Sequence, residues 1–451
     1  MRLSLVIAVS GAVLSLACGA ELQQPAAAYF SVPPADAPEL AHRGTYSVGV
    51  RTIEVTRPDQ VDILHIDNQT GKAPLYSRVL KVEIWYPATI PPGNPESTTY
   101  ISAMPGEGSG TFEVKGKALR DARPLSGSRF PLVVVSHGYP GSRIFLSYLT
   151  ENLASKGYVV AAIDHTDSVL GEVRVFQSTL LNRSADQLFT IQALEKLSAD
   201  PASFAHGLLD ATNVAIVGYS MGGYGALASA GAGYSKTSPL IKFVPGNYLI
   251  DWTADSPKFQ ALDRKMVKAI VAIAPWGAQP PYLAWDAEGL AALRVPSLFI
   301  AGDHDDVAGF ADGVKRIFEG AVNSHRYLLV YENARHNTGG NPPPPGVALD
   351  YHASQFFDEP VWRKDRITSI NQHFITAFLD LYLKGDQSRR KYLQVPVPKS
   401  NEGEWKVPNG ARDEGAFSTG RDADGDPFWP GFQRRWALGL ELYQRDPSQV
   451  P

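Results

Sequence analysis

The chain has 451 residues, of which 44% are hydrophobic, and its formal net charge is −4 at pH 7. A chain of this length can bury a large core and hold one large domain with extensions. Its charge lacks the basic excess of a protein that binds nucleic acid or an anionic membrane, so we expect a small-molecule substrate, and the composition leaves the oligomeric state open.

The N-terminus has the layout of a secretory signal peptide over residues 1–20. Arg2 precedes an apolar stretch from Leu3 to Leu16, which small residues follow. This stretch is shorter than the roughly 20 residues that a membrane-spanning helix needs, and no later stretch is long and apolar enough either. We therefore expect cleavage and export, to the periplasm or the medium, and no membrane span.

A lipid anchor is the alternative for this N-terminus. Cys18 is the only cysteine, and the residues around it resemble a bacterial lipoprotein box in which Ser15 stands where leucine is preferred. One cysteine cannot form an internal disulfide, so the exported chain must rely on its hydrophobic core for stability.

The next segments predict a leader and a group of antiparallel strands. Residues 21–43 are rich in alanine and proline and predict a flexible leader, with order beginning near Gly44. Short apolar runs between Tyr46 and Pro87 bracket the turn-like sequence NQTGK and predict antiparallel strands. Residues 91–110 have the composition of a loop.

From Phe130 onwards, six continuous apolar runs alternate with helical segments. The runs are PLVVVSH, YVVAAID, VAIVGYS, AIVAIAP, PSLFIAG and RYLLVYE. Such runs are typical of strands that are buried on both faces, and their alternation with helices implies parallel crossovers. The sequence therefore predicts an α/β fold with a doubly wound, mostly parallel sheet and N-terminal antiparallel strands.

Apolar spacing predicts three helices within this region. They run from Ser142 to Lys156, from Ser184, where a glutamine three residues on completes a capping box, and from Arg366 to Lys384. Two interruptions, Tyr234–Lys265 and Gly339–Pro360, are longer than ordinary loops and are predicted to form a lid or the walls of a pocket.

Residues 44–385 are thus predicted to form a catalytic domain, with residues 386–451 as a C-terminal extension. The aromatic sequence FWPGFQRRWALGLELYQ predicts that this extension packs back onto the domain. The acidic run at Asp422, Asp424 and Asp426 lacks the spacing and terminal glutamate of an EF-hand, so it is interpreted as a solvated turn.

Ser220 stands in the sequence VAIVGYSMGGYGAL, between a strand-like run and a helix-like run. A serine at such a junction lies on a sharp, strained turn that lifts its hydroxyl above the sheet edge. Side chains two residues away would collide with the neighbouring strand and helix, and Gly218 and Gly222 relieve that crowding. The pattern alone also fits a tight turn, but this context predicts a nucleophile elbow.

A nucleophilic serine needs a histidine to take its proton and a carboxylate to orient that histidine. In an elbow fold both partners follow the serine, on loops after later strands. Asp305 is the predicted acid, with Asp306 as a close rival and Asp303 as a turn residue. His336 follows RYLLVYE at the elbow edge and is the predicted base, whereas His325 begins that strand at the opposite edge.

An oxyanion hole usually takes one amide from the residue after the nucleophile and one from an earlier loop. Met221 supplies the first, and Tyr139, which follows the strand ending in His137 and Gly138, supplies the second unless this loop is an ordinary turn. No H-E-x-x-H or comparable metal-ligand spacing occurs, so we expect neither a metal nor a cofactor.

The stretch FPLVVVSHGYPGSRIFLSYLTENLASKGYVVAAIDHTDS and the elbow GYSMGGYGAL carry a family resemblance. They resemble α/β-hydrolases related to platelet-activating factor acetylhydrolase and predicted dienelactone hydrolases, and more distantly cutinase-like polyester hydrolases. The resemblance extends over most of residues 44–451. It implies the same site: Ser220, Asp305, His336 and the amides of Tyr139 and Met221. It also implies that Trp276 contacts substrate, with packing at a strand end as the alternative.

Together these expectations describe an exported serine carboxylic-ester hydrolase that acts through an acyl-enzyme. Tyr139 and Trp276 would form aromatic walls suited to short-chain or small aromatic esters. Phe243, Tyr248 and Trp252 of the first insertion would cover the site and exclude long chains or polymers. The alternatives are a cutinase-like polyester hydrolase, an amidase or thioesterase, and a non-catalytic binding protein on a hydrolase scaffold. A serine nucleophile argues against dienelactone hydrolase activity.

Overall fold

The structure, a computed structural model, describes residues 32–67, 69–106, 108–403, 428–433 and 436–448. The predicted signal peptide with Cys18 and the acidic run at Asp422–Asp426 lie outside the described residues. Within those five ranges, no helix has the length and apolar character needed to cross a membrane.

The strands and helices follow one another along the whole described chain. The strands are β1 (Val48–Val61), β2 (Leu75–Thr89), β3 (Thr98–Ala103), β4 (Thr111–Gly116), β5 (Leu119–Arg120), β6 (Arg123–Pro124), β7 (Phe130–Ser136), β8 (Val159–Asp164), β9 (Leu209–Tyr219), β10 (Val267–Ile273), β11 (Ser297–Gly302), β12 (Arg326–Tyr331) and β13 (Leu440–Arg445). The α-helices are α1 (Ser147–Ser155), α2 (Phe176–Ala199), α3 (Met221–Ser229), α4 (Pro239–Phe243), α5 (Pro257–Gln260), α6 (Ala287–Ala291), α7 (Arg316–Gly320), α8 (Tyr351–Phe357), α9 (Lys364–Leu383) and α10 (Arg390–Leu393).

One mixed sheet organises the fold, with the strand order β13-β12-β11-β10-β9-β7-β8-β2-β1-β5. Strands β7 to β12 run parallel to one another, while β2 and β13 pair antiparallel with β8 and β12. The six parallel strands coincide with the six apolar runs of the sequence. The predicted α/β fold with a doubly wound, mostly parallel sheet and antiparallel strands at its start is confirmed.

Helices cover both faces of the parallel strands, which is why these strands are apolar throughout. On one face Val134 packs in a core with residues of α2 and α3, and on the other its neighbour Val133 packs with residues of α1 and α9. Alternate residues of one strand therefore enter two separate cores, as the period-2 geometry of a strand requires. Sequential crossovers of this kind bring the loops that follow the parallel strands to one edge of the sheet.

Helix α1 begins later than predicted, and helix α2 begins earlier. Helix α1 begins at Ser147, because residues 142–146 form hydrogen-bonded turns. Helix α2 begins at Phe176, so the predicted capping box at Ser184 is wrong. Its two polar residues serve tertiary contacts instead: the Ser184 carbonyl accepts from Ser229 Oγ at 3.1 Å, and Gln187 Nε2 donates to the Gly222 carbonyl at 3.0 Å.

Two segments predicted to lack packed structure, the loop at residues 91–110 and the end of the leader, need correction. Strand β3 lies within the segment predicted to be a loop and pairs with β4. The leader is packed at its end: Leu40 and Ala41 are buried, and the Leu40 amide donates to His373 Nδ1 at 3.1 Å. In the described parts of the C-terminal extension, Trp429 and Phe432 pack on helix α9.

Candidate active site

Ser220 occupies a strained junction between β9 and α3. Its backbone has φ 53° and ψ −113°, a conformation that costs a non-glycine residue on the order of 1–3 kcal/mol. Hydrogen bonds from the end of β10 hold it there: the Ser220 amide donates to the Ile273 carbonyl at 2.8 Å, and the Trp276 amide donates to the Ser220 carbonyl at 3.2 Å. The neighbouring strand therefore maintains the strain that presents the serine side chain.

The two glycines of the elbow are explained by direct crowding. A Cβ atom on Gly218 would collide with the backbone of Gly222, and a Cβ on Gly222 would collide with the carbonyl oxygen of Ser136 at the end of β7. The strand, the turn and the helix meet too closely at this point for any side chain. The predicted elbow geometry accordingly depends on glycine at both positions.

The structure brings Ser220, His336 and Asp305 together in one hydrogen-bonded row. His336 Nε2 lies 3.1 Å from Ser220 Oγ. His336 Nδ1 lies 2.9 Å from Asp305 Oδ2 and 3.0 Å from Asp305 Oδ1. The histidine comes from the loop after β12 and the aspartate from the loop after β11, which are the positions predicted from the sequence.

The surroundings of Asp305 keep its carboxylate charged. Its Oδ1 accepts from the amides of Val307 at 2.9 Å and Ala308 at 2.8 Å. Burial alone would raise the pKa of Asp305, but His336 and these two amides outweigh burial and hold that pKa below its ordinary value. A charged carboxylate accepts only, so Nδ1 of His336 donates to it, and in a neutral imidazole with that tautomer Nε2 is the acceptor that faces Ser220.

The two other aspartates of this loop have different surroundings. Asp306 lies at the surface and pairs with Arg335, whose Nε donates to it at 3.0 Å. Asp303 accepts from the Asn333 amide at 2.6 Å and contacts the neighbouring His304, as a turn residue would. Within the described ranges, no group of three or more His, Cys, Asp or Glu side chains is arranged to hold a metal ion.

The loop with Gly138 and Tyr139 passes directly beside the elbow. A Cβ on Gly138 would lie 3.3 Å from the Ser220 Cβ, so the backbone of this loop passes close to the serine. Tyr139 follows in this loop, and Met221 is the first residue of α3. The structure therefore puts the two predicted donor residues on the two segments that flank Ser220.

An aromatic row runs from Tyr139 to Trp276 and continues beyond it. The ring of Phe176 bridges the two, with centroids 4.9 Å from Tyr139 and 5.2 Å from Trp276, and Tyr282 lies 4.3 Å beyond Trp276. Sequence reasoning missed Phe176 and Tyr282, because an aromatic residue that opens a helix or follows a proline pair has no signal that separates a pocket wall from core.

Tyr248 and Trp252 of the first insertion do not cover Ser220 as predicted. These two residues instead line a cavity with Arg57 and Leu181, between β1 and helix α2. The hydroxyl of Tyr248 accepts from the Ala73 amide at 3.0 Å, which ties it to the loop before β2. The expectation that they cover the site is therefore wrong, since tertiary contacts with the antiparallel strands hold them there.

The second insertion is attached next to His336. The His336 ring lies 5.3 Å from Tyr219, which stacks on Phe145 at 5.6 Å, and Phe356 of α8 packs against Phe145 at 5.3 Å. The side chain of Asn337 donates to two backbone carbonyls near the C-terminal end of this insertion, at residues 355 and 358. The insertion after Gly339 thus forms one wall beside the histidine.

A second Ser-His-Asp arrangement is buried inside the fold. Ser136 Oγ lies 2.8 Å from His165 Nε2, and His165 Nδ1 lies 3.0 Å from Asp186 Oδ2. Each of these residues is at most 1% exposed, which leaves no approach for a substrate. Burial, together with the charge of Arg183, lowers the pKa of His165 to about 3, so the imidazole is neutral and serves structure.

Comparisons with known proteins agree with the fold. Residues 110–196 match the family model "Platelet-activating factor acetylhydrolase, isoform II", a span that includes Tyr139 but not Ser220. The chain is 24% identical over 214 residues to cutinase est1 of Thermobifida alba, covering 47% of this chain and 55% of that enzyme. It is 32% identical over 107 residues to cutinase est2 of the same organism, covering 24% and 32%.

A solved structure of a ferulic acid esterase from Streptomyces cinnamoneus aligns with 79% of this chain and 94% of its own, at 21% identity and a TM-score of 0.49. The sheet order and the elbow are those of the α/β-hydrolase fold. Over the matched parts, its sequence is similar to the platelet-activating factor acetylhydrolase family model and to cutinases. The matched region spans about half the length of the first of these cutinases.

Proposed function

We propose that this protein is a serine carboxylic-ester hydrolase. The observation that carries the proposal is the row of Ser220, His336 and Asp305, with 3.1 Å between the serine oxygen and the histidine and 2.9 Å between the histidine and the aspartate. A serine is a poor nucleophile at neutral pH, and this arrangement is the one that activates it. The similarity to cutinases supports an ester as the substrate class.

In the first step, Ser220 Oγ would attack the carbonyl carbon of the ester while His336 Nε2 takes the hydroxyl proton. The imidazolium is stabilised by Asp305, which accepts from Nδ1 and keeps its charge. The carbonyl oxygen becomes an oxyanion, for which the amides of Tyr139 and Met221 are the proposed donors. His336 then gives its proton to the departing alkoxide, which leaves as the alcohol, and the acyl group remains on Ser220.

In the second step, water replaces the alcohol. His336 Nε2 takes a proton from water as its oxygen attacks the acyl carbon, a second tetrahedral oxyanion forms, and the bond to Ser220 Oγ breaks. The proton returns from His336 to the serine oxygen, and the carboxylic acid departs. Every proton is supplied by serine or water, so these steps balance with this chain, the ester and one water molecule.

The aromatic residues near Ser220 support a proposal for the substrate class. Tyr139, Phe176 and Trp276 form an apolar aromatic row that starts at the oxyanion loop and ends next to the elbow. Aromatic walls bury flat or short acyl groups at about 25 cal/mol per Å² of apolar surface. We therefore propose short-chain or small aromatic esters as substrates, and propose export on the basis of residues 1–20.

The experiment is a panel of p-nitrophenyl esters from acetate to palmitate, together with an anilide, a thioester and a polyester film. Labelling with a fluorophosphonate, followed by mass spectrometry of proteolytic peptides, would locate the reactive serine. Ser220→Ala should lower kcat by roughly a million-fold and abolish labelling. Ser324→Ala is the matched control, because Ser324 is buried at the opposite end of the sheet and contacts the Val295 carbonyl.

Two results would overturn the proposal. Wild-type enzyme that cleaves no ester and takes up no fluorophosphonate would favour a binding protein on a hydrolase scaffold. Faster cleavage of the anilide or the thioester than of every ester would assign the protein to the amidases or the thioesterases instead.

A further inference from the structure

One buried arginine on helix α2 holds the backbone of the loop that contains the proposed oxyanion donor. Arg183 is 1% exposed. Its Nη1 donates to the His137 carbonyl at 2.6 Å, and its Nη2 donates to the Gly138 carbonyl at 3.2 Å. The guanidinium thus bridges the two consecutive peptide groups that lead into Tyr139.

The geometry of a peptide group converts that contact into a direction for the donor. In a planar trans peptide the C=O and N–H bonds point to opposite sides. The Gly138 carbonyl and the Tyr139 amide belong to the same peptide group. Because Arg183 fixes the carbonyl, the Tyr139 N–H must point away from the arginine. The positive charge of the guanidinium, which lies next to that carbonyl, also polarises the peptide group and strengthens its N–H as a donor.

The arginine has one further hydrogen-bond partner and a buried acidic neighbour. Its Nη2 also donates to Ser168 Oγ at 2.9 Å. Asp186, one turn further along α2, is bound by Arg78 and by His165, and its negative charge partly offsets the lowering of the pKa of Arg183 by burial. Burial lowers the pKa of Arg183 to about 9, which leaves the guanidinium protonated at neutral pH.

The buried Ser-His-Asp arrangement supports the same loop from the side. The His165 amide donates to His137 Nε2 at 3.2 Å, and His137 Nδ1 lies 2.8 Å from the Gly138 carbonyl. The Gly138 carbonyl thus receives two donors, one from the arginine and one from the neighbouring histidine. Helix α2 also reaches the other side of the elbow, where Gln187 Nε2 donates to the Gly222 carbonyl at 3.0 Å.

We propose that Arg183 is a positioning residue of the oxyanion hole: it fixes the Gly138–Tyr139 peptide so that its N–H faces the reacting carbonyl, and its charge strengthens that donor. This inference rests on the proposed esterase function. Arg183 acts through the loop and does not touch the substrate. Its contribution should therefore be expressed in the transition state, where the oxyanion forms, and hardly at all in substrate binding.

The test compares Arg183→Met and Arg183→Lys with Arg326→Met. Arg326 is the matched control, because it is also a buried arginine that donates to two backbone carbonyls, those of Phe318 and Ser324. It is the first residue of β12 and therefore lies at the end of that strand opposite the His336 loop. For each folded variant, kcat and KM on p-nitrophenyl butyrate would be measured, with the inhibition constant of a trifluoromethyl ketone that forms a tetrahedral adduct with a serine. Circular dichroism and Tm would establish folding.

Arg183→Met should lower kcat and the affinity for the ketone by about 10²–10³-fold while KM changes by less than about threefold. Arg183→Lys should lose about tenfold, since one ammonium can serve only one of the two carbonyls at a time. If the methionine variant does not fold, the lysine variant carries the test. Arg326→Met should keep kcat within about threefold even if its Tm falls.

The inference is overturned if the folded lysine or methionine variant keeps kcat and ketone affinity within about threefold of wild type. It is also overturned if kcat falls only as far as the lowered Tm reduces the folded fraction of the variant, since that would be a purely structural loss. Failure of the proposed function has a different signature. In that case wild-type protein neither cleaves the ester nor binds the ketone, or Ser220→Ala behaves as wild type.

Discussion

The carboxylates of Asp305 and Asp306 are neighbours in the chain but have opposite surroundings. Asp305 is buried and accepts from His336 Nδ1 and from two amides, whereas Asp306 is exposed and pairs with Arg335. The loop turns so that Asp305 Oδ1 caps the amides at 307 and 308, which draws its side chain inward and leaves the next residue at the surface. Local hydrogen bonds thereby decide which carboxylate faces the histidine.

Asp305→Asn should therefore lower kcat by about 10⁴-fold, because an amide no longer holds the imidazole in the tautomer that accepts from Ser220. Asp306→Asn should change kcat by less than about threefold, since an exposed ion pair contributes at most about 1 kcal/mol. Steady-state kinetics on p-nitrophenyl butyrate measures both. Equal losses in the two variants would show that the loop adopts another register in solution.

The fold and most of the site could be predicted because the relevant signals are local. Six apolar runs indicate parallel strands, and the elbow glycines mark a point where strand and helix meet too closely for a side chain. Chain order in this fold then directs the search for acid and base to Asp305 and His336. Asp305 and Asp306 could not be separated with certainty from sequence, since the difference depends on the turn of the loop.

What the sequence could not predict depends on contacts between distant segments. Phe176 and Tyr282 border the proposed pocket only because their loops converge on Trp276. The proposed role of Arg183 depends on how closely α2 packs against the loop after β7, and no local sequence pattern predicts that packing. The sequence also fails to predict the position of Tyr248 and Trp252 for this reason. They pack against the start of the antiparallel strands, which lies far away in the chain.

Gly222→Ala should destabilise the protein by about 3 kcal/mol or more, because its methyl group would overlap the Ser136 carbonyl and force β7 and α3 apart. Gly207→Ala is the control: its Cβ would meet no atom within 4 Å and carries only the cost of a positive φ of 68°, about 1–2 kcal/mol. Urea unfolding measures the difference in the free energy of unfolding. Similar losses in both variants would mean that the elbow relaxes to accept a side chain.

A buried carboxyl away from the site predicts a pH dependence of stability. Glu151 accepts from the Tyr100 hydroxyl at 2.6 Å and the Lys117 amide at 2.9 Å, and burial raises its pKa to about 7. An acid whose pKa is higher in the folded state binds more protons there, so its contribution to the free energy of unfolding falls as pH rises from about 4.5 to about 7.

Glu151→Gln removes that titration. The free energy of unfolding of the wild type relative to this variant should therefore fall by up to about 3 kcal/mol between about pH 5 and about pH 8. Glu113→Gln is the control, since Glu113 is an exposed carboxylate and should show little such change. Urea titrations at both pH values give the differences. A wild-type advantage that grows with pH would contradict the assigned protonation of Glu151.

The last prediction concerns Phe176, which bridges Tyr139 and Trp276 in the aromatic row. Phe176→Ala would remove the middle of this wall, so a short acyl group would lose apolar contacts and a longer chain would gain room. We expect kcat/KM for p-nitrophenyl butyrate to fall by about 10–100-fold, equivalent to about 1–3 kcal/mol, while the ratio of palmitate to butyrate cleavage rises. Trp252→Ala is the matched control, because Trp252 lines the separate cavity beside Arg57 and should leave that ratio unchanged. A palmitate-to-butyrate ratio that stays constant in Phe176→Ala, or that shifts as much in Trp252→Ala, would show that the acyl group does not lie along this row.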